Sequence, residues 1–159
     1  MIIKSQSRTN FKNFNLKLSL SFPLLLAFLF FIDRITKITL YGKSGCAFIF
    51  CITTVFNRGA SLGFFSNFSF VRILIIILSF LVIFLISTFY YFEKNKGLKI
   101  AAIFVLAGIL GNLFDRIFYG YVIDLVTLSN LFSFNLADCY IWVGVILFLF
   151  FIFKGTKID

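Results

Sequence analysis

The acidic residues are the side chains most able to do chemistry in this chain, and there are only six of them. They are Asp33, Glu93, Asp115, Asp124, Asp138 and Asp159. The chain has no histidine, which excludes Ser-His-Asp and Cys-His catalysis and most zinc sites. Two carboxylates held close together cannot both ionise, so they share a proton. Such a pair predicts one acid that accepts a proton from water and one that donates a proton to a carbonyl or leaving amine.

This acid–base chemistry is that of aspartic proteases, and it needs neither metal nor cofactor. We therefore expect no metal site and no cofactor.

Asparagines accompany two of the acids at helical spacing. Asn112 and Asp115 are three residues apart and share a helix face, as do Asn135 and Asp138. A plain N-cap role for Asn135 is an equal alternative. Paired carboxylates in membranes also serve proton-coupled transport, so the acids alone leave that class of protein open.

The composition shows where these acids must work. Hydrophobic residues make up 61% of the 159 residues, charged residues 13%, and the mean hydropathy is +1.06. A soluble domain is roughly 45–50% apolar and about 25% charged. The composition excludes a soluble globular enzyme and predicts a membrane protein. We interpret the net charge of +9 as basic cytoplasmic ends, and we expect no nucleic-acid partner.

Four apolar stretches predict four transmembrane helices, at about 17–36, 70–92, 99–119 and 134–154. The expected fold is an all-α polytopic membrane protein, one domain over 1–159, with outer loops at 37–69 and 120–133. The loop between helices 1 and 2 is rich in aromatic and β-branched residues from Ala47 to Phe56, which predicts a small β-rich cradle at the membrane surface. Lys and Arg are densest at the ends that include both termini, so both termini are expected in the cytoplasm.

This topology brings Asp33, Asp115, Asp124 and Asp138 to the outer side. An ionised carboxylate inside a bilayer costs at least about 2.5–3.5 kcal/mol, so these acids are candidates for a functional site. The alternative for any one acid is a structural pair, such as Asp115 with Arg116 or Asp33 with an arginine. The cysteines, an odd count of three, argue against a structural role, although Cys46 and Cys51 could pair in an exported segment.

Four motifs resemble those of one known family, in the same order along the chain. They are Asp33-Arg34-Ile35-Thr36-Lys37, then Asn57-Arg58-Gly59-Ala60-Ser61-Leu62-Gly63, then Gly111-Asn112-Leu113-Phe114-Asp115-Arg116 with Gly120 and Val122-Ile123-Asp124 after it, and Phe134-Asn135-Leu136-Ala137-Asp138. With four predicted spans, these motifs resemble the lipoprotein signal peptidases over essentially the whole chain. The resemblance implies an intramembrane aspartic endopeptidase. Such enzymes cut the signal peptide from a diacylglyceryl-modified prolipoprotein just before the lipidated cysteine.

The resemblance also implies roles for single residues. Asp124 and Asp138 would be catalytic, although the residues by themselves do not choose between Asp124 and Asp115. Substrate-binding or supporting roles would fall to Asn57, Gly59, Asn112, Asp115, Arg116, Asn135 and Ala137. Asp33 and Lys37 would be structural. The expected partners are a lipid-modified prolipoprotein and membrane lipid, with the chain a monomer in the bacterial cytoplasmic (inner) membrane and its active site near the outer leaflet.

Two features depart from the family pattern. Leu62 stands where the family commonly has Phe, and the stretch from Asp124 to Asp138 is short, which puts a lid-like role of that loop in doubt. Two other functions stay open at this point. One is a proton- or cation-coupled transporter that uses Asp33, Asp115 and Asp138. The other is a non-enzymatic assembly factor whose acids only pair helices.

Overall fold

The computed structural model describes residues 22–59, 69–128 and 132–155. Its helices are α1, helical over the described residues 22–40, α2 (Ser69–Phe92), α3 (Lys96–Phe118) and α4 (Leu136–Gly155). Its strands are β1 (Gly45–Ala47), β2 (Phe50–Asn57), β3 (Val122–Leu128) and β4 (Phe132–Phe134). Leu62, Asp159 and the predicted start of the first helix lie outside the described residues.

Three helices within the described residues are long and apolar enough to cross a membrane. They are Phe70–Phe92, Lys96–Phe118 and Leu136–Gly155. At 1.5 Å per residue, each is about 30–35 Å long, which matches a hydrocarbon layer of about 30 Å. Most large apolar side chains of α2 are exposed, among them Ile77 and Phe84. The chain is therefore a membrane protein, and α2 presents its surface to lipid.

Small residues allow α3 and α4 to pack with their backbones close together. A Cβ atom at Gly144 would lie 2.8 Å from the carbonyl oxygen of Ala101, so only glycine fits there. Gly108 approaches α4 in the same way, because a Cβ atom there would lie 3.1 Å from the backbone nitrogen of Ile141. Small residues at an interface are the usual means of close helix packing in membranes. The packing brings the end of α3 beside the start of α4, where the acids and asparagines are.

The four strands form one antiparallel sheet in the order β1-β2-β3-β4. The predicted cradle, placed in the loop between helices 1 and 2, therefore accounts for only two of the four strands. The segment 120–133, predicted as an outer loop, supplies β3 and the first two residues of β4, which ends at Phe134. Val55 of β2 pairs with Asp124 of β3, and Asn57 pairs with Val122. The local pattern could not show these strands, because the partner of β3 lies nearly seventy residues earlier in the chain.

Cys46 and Cys51 form a disulfide between β1 and β2. The expectation that the cysteines have no structural role is therefore wrong for this pair. Cys46 and Cys51 are direct partners across the two antiparallel strands, and their side chains consequently lie on the same face of the hairpin. Strand register, which cysteine spacing does not reveal, decides this pairing. Cys139 is a free thiol.

Candidate active site

Asp124 lies near the start of β3 and is almost fully buried. Its carboxylate accepts three side-chain hydrogen bonds. Asn135 Nδ2 donates to Oδ1 at 2.8 Å, while Asn57 Nδ2 at 3.2 Å and Ser133 Oγ at 3.1 Å donate to Oδ2. Burial raises the pKa of Asp124 and the negative charge of Asp138 raises it further, while the three hydrogen bonds oppose the rise. Asp124 is thus a carboxyl group that holds its proton more readily than an ordinary aspartate.

Asp138 lies in the first turn of α4 and is held by two donors. Asn112 Nδ2 donates to Oδ1 at 2.8 Å, and the backbone N–H of Asn135 donates to Oδ2 at 3.0 Å. In return, Asn135 Oδ1 accepts the backbone N–H of Asp138 at 3.1 Å. This reciprocal arrangement is a capping box, which satisfies two backbone donors at the start of a helix. The N-cap alternative for Asn135 is therefore realised, and it fixes the position of Asp138.

Asn135 joins the two carboxylates as well as capping the helix. Its Nδ2 donates both to Asp124 and, at 3.0 Å, to Asn112 Oδ1. Asn112 in turn donates to Asp138, so the two asparagines form a bridge from one aspartate to the other. Asn135 is 1% exposed and Asn112 is 8% exposed, so this network is shielded from water. Hydrogen bonds in such an environment fix side-chain positions strongly.

Arg116 and Gly59 border the two carboxylates. Arg116 Nη2 donates to the carbonyl oxygen of Gly59 at 3.3 Å, and Nη1 donates to that of Asn112 at the same distance. The backbone N–H of Gly59 donates to Asn57 Oδ1 at 3.1 Å, which leaves the Asn57 amide directed toward Asp124. These contacts tie the end of β2 to the last turns of α3. Arg116 also places a positive charge beside the acids.

Asp115 belongs to a separate cluster of buried charges, which also contains Asp33, Arg34 and Lys37. Lys37 Nζ lies 2.7 Å from Asp115 Oδ2 and 3.1 Å from Asp33 Oδ2. Arg34 forms ion pairs with both carboxylates and donates to the carbonyl oxygen of Gly111 at 3.1 Å. Asp115 therefore pairs with Arg34 and Lys37 and not with Arg116. The cluster holds two negative and two positive charges, so it is neutral as a unit.

Backbone groups connect this charge cluster to the elements that hold the other two acids. The N–H of Ala137 donates to Asp33 Oδ1 at 3.1 Å, and the N–H of Ile123 donates to Asp115 Oδ2 at 3.2 Å. Ala137 is the residue before Asp138, and Ile123 is the residue before Asp124. The cluster thereby positions both aspartates without contacting either of them.

A cavity of about 760 Å³ opens beside Asp124 and Asp138. Its polar end includes Asn57, Asn112 and Arg116. The remaining wall is mostly apolar and includes Phe132, Phe134, Ile141, Trp142 and Val143. Its volume is within the usual range for small-molecule and peptide pockets, about 300–1,000 Å³. The cavity can hold an apolar chain along one wall while a polar bond lies at the acids.

The predicted site residues thus fall into two groups. Asn57, Gly59, Asn112, Arg116, Asp124, Asn135 and Asp138 surround the acid pair and its cavity. Asp33, Lys37, Asp115 and the backbone of Ala137 belong to the charge cluster. The sequence prediction missed Arg34 and Ser133. Arg34 lies inside the first of the four family motifs, whereas nothing in the sequence marks Ser133. Within the described ranges, no group of His, Cys, Asp or Glu could hold a metal ion.

A membrane helix bundle with two bridged carboxylates, one buried and one partly buried, beside an amphipathic cavity has the parts of an aspartic peptidase. Residues 25–154 match the family model described as signal peptidase (SPase) II. The chain therefore belongs to the signal peptidase II family, a family of aspartic peptidases, and it is an enzyme.

Relatives agree with this assignment. The chain is 31% identical over 150 residues to the lipoprotein signal peptidase of Clostridium novyi, which covers 84% of this chain and 98% of that protein. It is 35% identical over 143 residues to that of Clostridium acetobutylicum, with 80% and 91% covered. It is 40% identical over 118 residues to that of Pseudoalteromonas translucida, with 69% and 70% covered.

Solved structures agree at the level of fold. One bacterial membrane enzyme determined by the in meso method superposes with a TM-score of 0.76 at 25% identity, covering 86% of this chain and 90% of that one. A second gives a TM-score of 0.74 at 26% identity, covering 86% and 94%. The similarity therefore extends over nearly the full length of both solved chains.

Proposed function

We propose that this enzyme removes signal peptides from diacylglyceryl-modified prolipoproteins, cutting just before the lipidated cysteine, with Asp124 and Asp138 as the catalytic pair. One observation carries the assignment of the pair. Asn135 donates its side-chain amide to the buried Asp124 and its backbone N–H to the partly buried Asp138, which holds the two carboxyl groups in one network. Family membership supports the substrate class, because the relatives are named lipoprotein signal peptidases.

Asp124 carries the shared proton at rest, because burial and the charge of Asp138 favour its neutral form. In this mechanism Asp138 is the general base. It accepts a proton from a water molecule as the water oxygen attacks the scissile carbonyl carbon. Asp124 donates its proton to the carbonyl oxygen, which gives a neutral tetrahedral diol. Collapse of the diol breaks the C–N bond, transfers a proton to the leaving amine and leaves one proton on the pair.

The cavity separates the polar and apolar parts of such a substrate. Arg116, Asn57 and Asn112 lie at its polar end, where they can orient the peptide backbone next to the acids. The apolar wall, with Trp142 and Phe134, suits the hydrophobic signal peptide and the acyl chains. Asp115, Asp33 and Lys37 have a positioning role, since they brace the backbone next to each catalytic acid. No cofactor is required for this reaction.

In the proposed arrangement α1 is a fourth transmembrane helix, and both termini are in the cytoplasm of a bacterial cell. The dense Lys and Arg at the termini and at the α2–α3 connection support this orientation. The site is then near the outer leaflet of the cytoplasmic membrane, where exported prolipoproteins arrive. The chain acts as a monomer, because one copy supplies both acids and the cavity.

A synthetic prolipoprotein peptide, made with and without diacylglyceryl on its cysteine, tests the proposal. We expect the purified enzyme in liposomes to cut only the lipidated peptide, and mass spectrometry should place the new N-terminus at the modified cysteine. Asp138→Asn supplies the background rate. Equal cutting of both peptides would contradict the substrate assignment, and cutting at another bond would contradict the proposed cleavage site.

A further inference from the structure

The β1–β2 hairpin ends in a tip, Ala47–Phe50, that has no role in the site described above. Ala47 pairs with Phe50, so Phe48 and Ile49 form a two-residue turn. Phe48 is fully exposed, and Ile49 and Phe50 are about half exposed. Three large apolar side chains thus project from the end of a hairpin at the free edge of the sheet.

The turn uses residues that disfavour its own geometry. Phe48 has a φ of 56°, in the left-handed region that bulky residues rarely adopt. Two-residue hairpin turns normally take Asn-Gly, Asp-Gly or Gly at these positions. The Cys46–Cys51 disulfide closes the hairpin next to this turn and stabilises a conformation that local propensity opposes. A strained turn that exposes aromatic side chains points to a function for those side chains.

The hairpin is also free of charge. No Asp, Glu, Lys or Arg occurs between Lys43 and Arg58. Exposed sheet edges in water usually carry charges or proline, which prevent pairing with other chains. An uncharged apolar edge is therefore suited to lipid, where charged side chains are costly and apolar ones are not.

The sheet is joined directly to the ends of two helices that are long enough to cross a membrane. Strand β3 begins four residues after α3 ends, and β4 ends two residues before α4 begins. Val126 of β3 pairs with Phe134 of β4, so these two strands lie between the adjacent ends of α3 and α4. The hairpin tip continues along the same line, since Phe50 pairs with Leu128.

Aromatic rings lie next to the ends of two helices. Tyr41, just after the described helical segment of α1, contacts Phe56, and Tyr119, just after α3, contacts Tyr121. Phe56 and Tyr121 are themselves in contact, with ring centroids 4.7 Å apart. Tyrosines are enriched at the boundary between lipid and water. The lipid-facing surface of the helices thus extends onto the sheet.

We propose that the hairpin tip inserts into the phospholipid leaflet at the site end of the helices, and that the Cys46–Cys51 disulfide holds it in the inserting conformation. The occupant of this surface is lipid, with Phe48 and Ile49 below the headgroups. Interfacial elements of this kind reach about 5–10 Å into the boundary between headgroups and acyl chains. The inference goes beyond the proposed function, because none of the catalytic or supporting residues lies in the tip.

Tryptophan fluorescence with brominated lipids tests the insertion. The variant Phe48→Trp is placed in liposomes of phosphatidylethanolamine and phosphatidylglycerol. The emission of Trp142, the one native tryptophan, is measured in the wild-type protein and subtracted. We expect lipids brominated near the headgroup to quench about half of the added emission. Tyr41→Trp is the matched control for a residue at the interface. Thermal unfolding in detergent shows that each variant is folded, so failure of the insertion is separable from failure of the proposed function.

The disulfide is tested in the same Phe48→Trp protein, either reduced with a phosphine or carrying Cys46→Ser and Cys51→Ser. We expect lipid quenching to fall by about two-fold or more and quenching by aqueous acrylamide to rise. Unchanged lipid quenching in both proteins would overturn the role of the disulfide. Strong acrylamide quenching in the oxidised protein would overturn insertion. Protection from both quenchers would show protein at the tip, a second copy or substrate, and would also overturn it.

Discussion

Asn135 donates a side-chain N–H to Oδ1 of Asp124 at 2.8 Å. Through the same side chain it accepts the backbone N–H of Asp138 at 3.1 Å, which makes it the N-cap of α4. One residue therefore sets the start of a membrane helix and the distance between two acids. These two tasks use different atoms, since the cap needs the oxygen and the bridge needs the nitrogen.

Replacing Asn135 with serine separates the two tasks. Serine is as good an N-cap as asparagine but cannot donate to Asp124 across the same gap. We expect Asn135→Ser to keep the helix cap and to lose about 10–100-fold in kcat, because it loses the amide hydrogen bonds to Asp124 and to Asn112. Peptide cleavage and thermal unfolding in detergent measure the two effects.

Asn135→Ala is the matched comparison, because alanine removes the cap as well as the bridge. We expect the same loss of activity and an additional loss of about 1 kcal/mol in the free energy of unfolding. If serine restored full activity, the amide bridge would have no catalytic role.

Ser133→Ala tests the protonation of Asp124. The Ser133 hydroxyl donates to Asp124 and stabilises its ionised form, which opposes the rise in pKa caused by burial. Its removal therefore raises the pKa of Asp124. Since the reaction needs the proton of Asp124, activity declines as pH rises through that pKa. We expect the alkaline limb of the kcat/KM profile to move to higher pH.

Ser79→Ala is the control for this experiment. Ser79 also lines the cavity, but its hydroxyl donates to the carbonyl oxygen of Ile75 and not to an acid. The alkaline limb of the kcat/KM profile of Ser79→Ala should lie at the same pH as that of the wild-type protein. A shift of the Ser133→Ala limb to lower pH would contradict the assignment of the proton to Asp124.

Lys37→Met tests the charge cluster. The change leaves Asp33 and Asp115 with Arg34 as their one remaining cationic partner in the cluster, so one buried negative charge is not compensated. We expect a loss of about 3–5 kcal/mol in the free energy of unfolding, as for other broken buried pairs. Thermal unfolding in detergent measures it, with Lys43→Met at an exposed lysine as the control.

The double variant Lys37→Met with Asp115→Asn restores charge balance. We expect it to recover part of the lost stability, because the two residues are in direct contact and their effects are not additive. If the two losses simply added, the cluster would not act as one neutral unit.

The membrane helices and part of the sheet could be predicted because they depend on local pattern. The apolar run of α2 contains one charge, Arg72, and needs no partner for its identification. The segment around Cys51 and Val55 has β-branched and aromatic residues typical of a strand, and β2 confirms it. These elements can be recognised from short segments of the sequence.

The choice between Asp115 and Asp124 depends on contacts that no window of sequence contains. Asp115 is neutralised by Arg34 and Lys37, which are 81 and 78 residues away. Asp124 instead accepts hydrogen bonds from amides and a hydroxyl, and the charge that raises its pKa is that of another carboxylate. Both acids follow the same apolar run of α3, so only three-dimensional packing distinguishes a structural acid from a candidate catalytic one.

The most direct test of the paired-carboxylate mechanism compares Asp124→Asn, Asp138→Asn and the double variant in cleavage of the lipidated peptide. Acids that share one proton act as a unit, so each single change should remove as much activity as both together, about 10²–10⁴-fold. Glu93→Gln, the same chemical change at an acid outside the site, should keep the wild-type rate. If either single variant of a folded protein stayed within about ten-fold of wild type, the two aspartates would not be the catalytic pair.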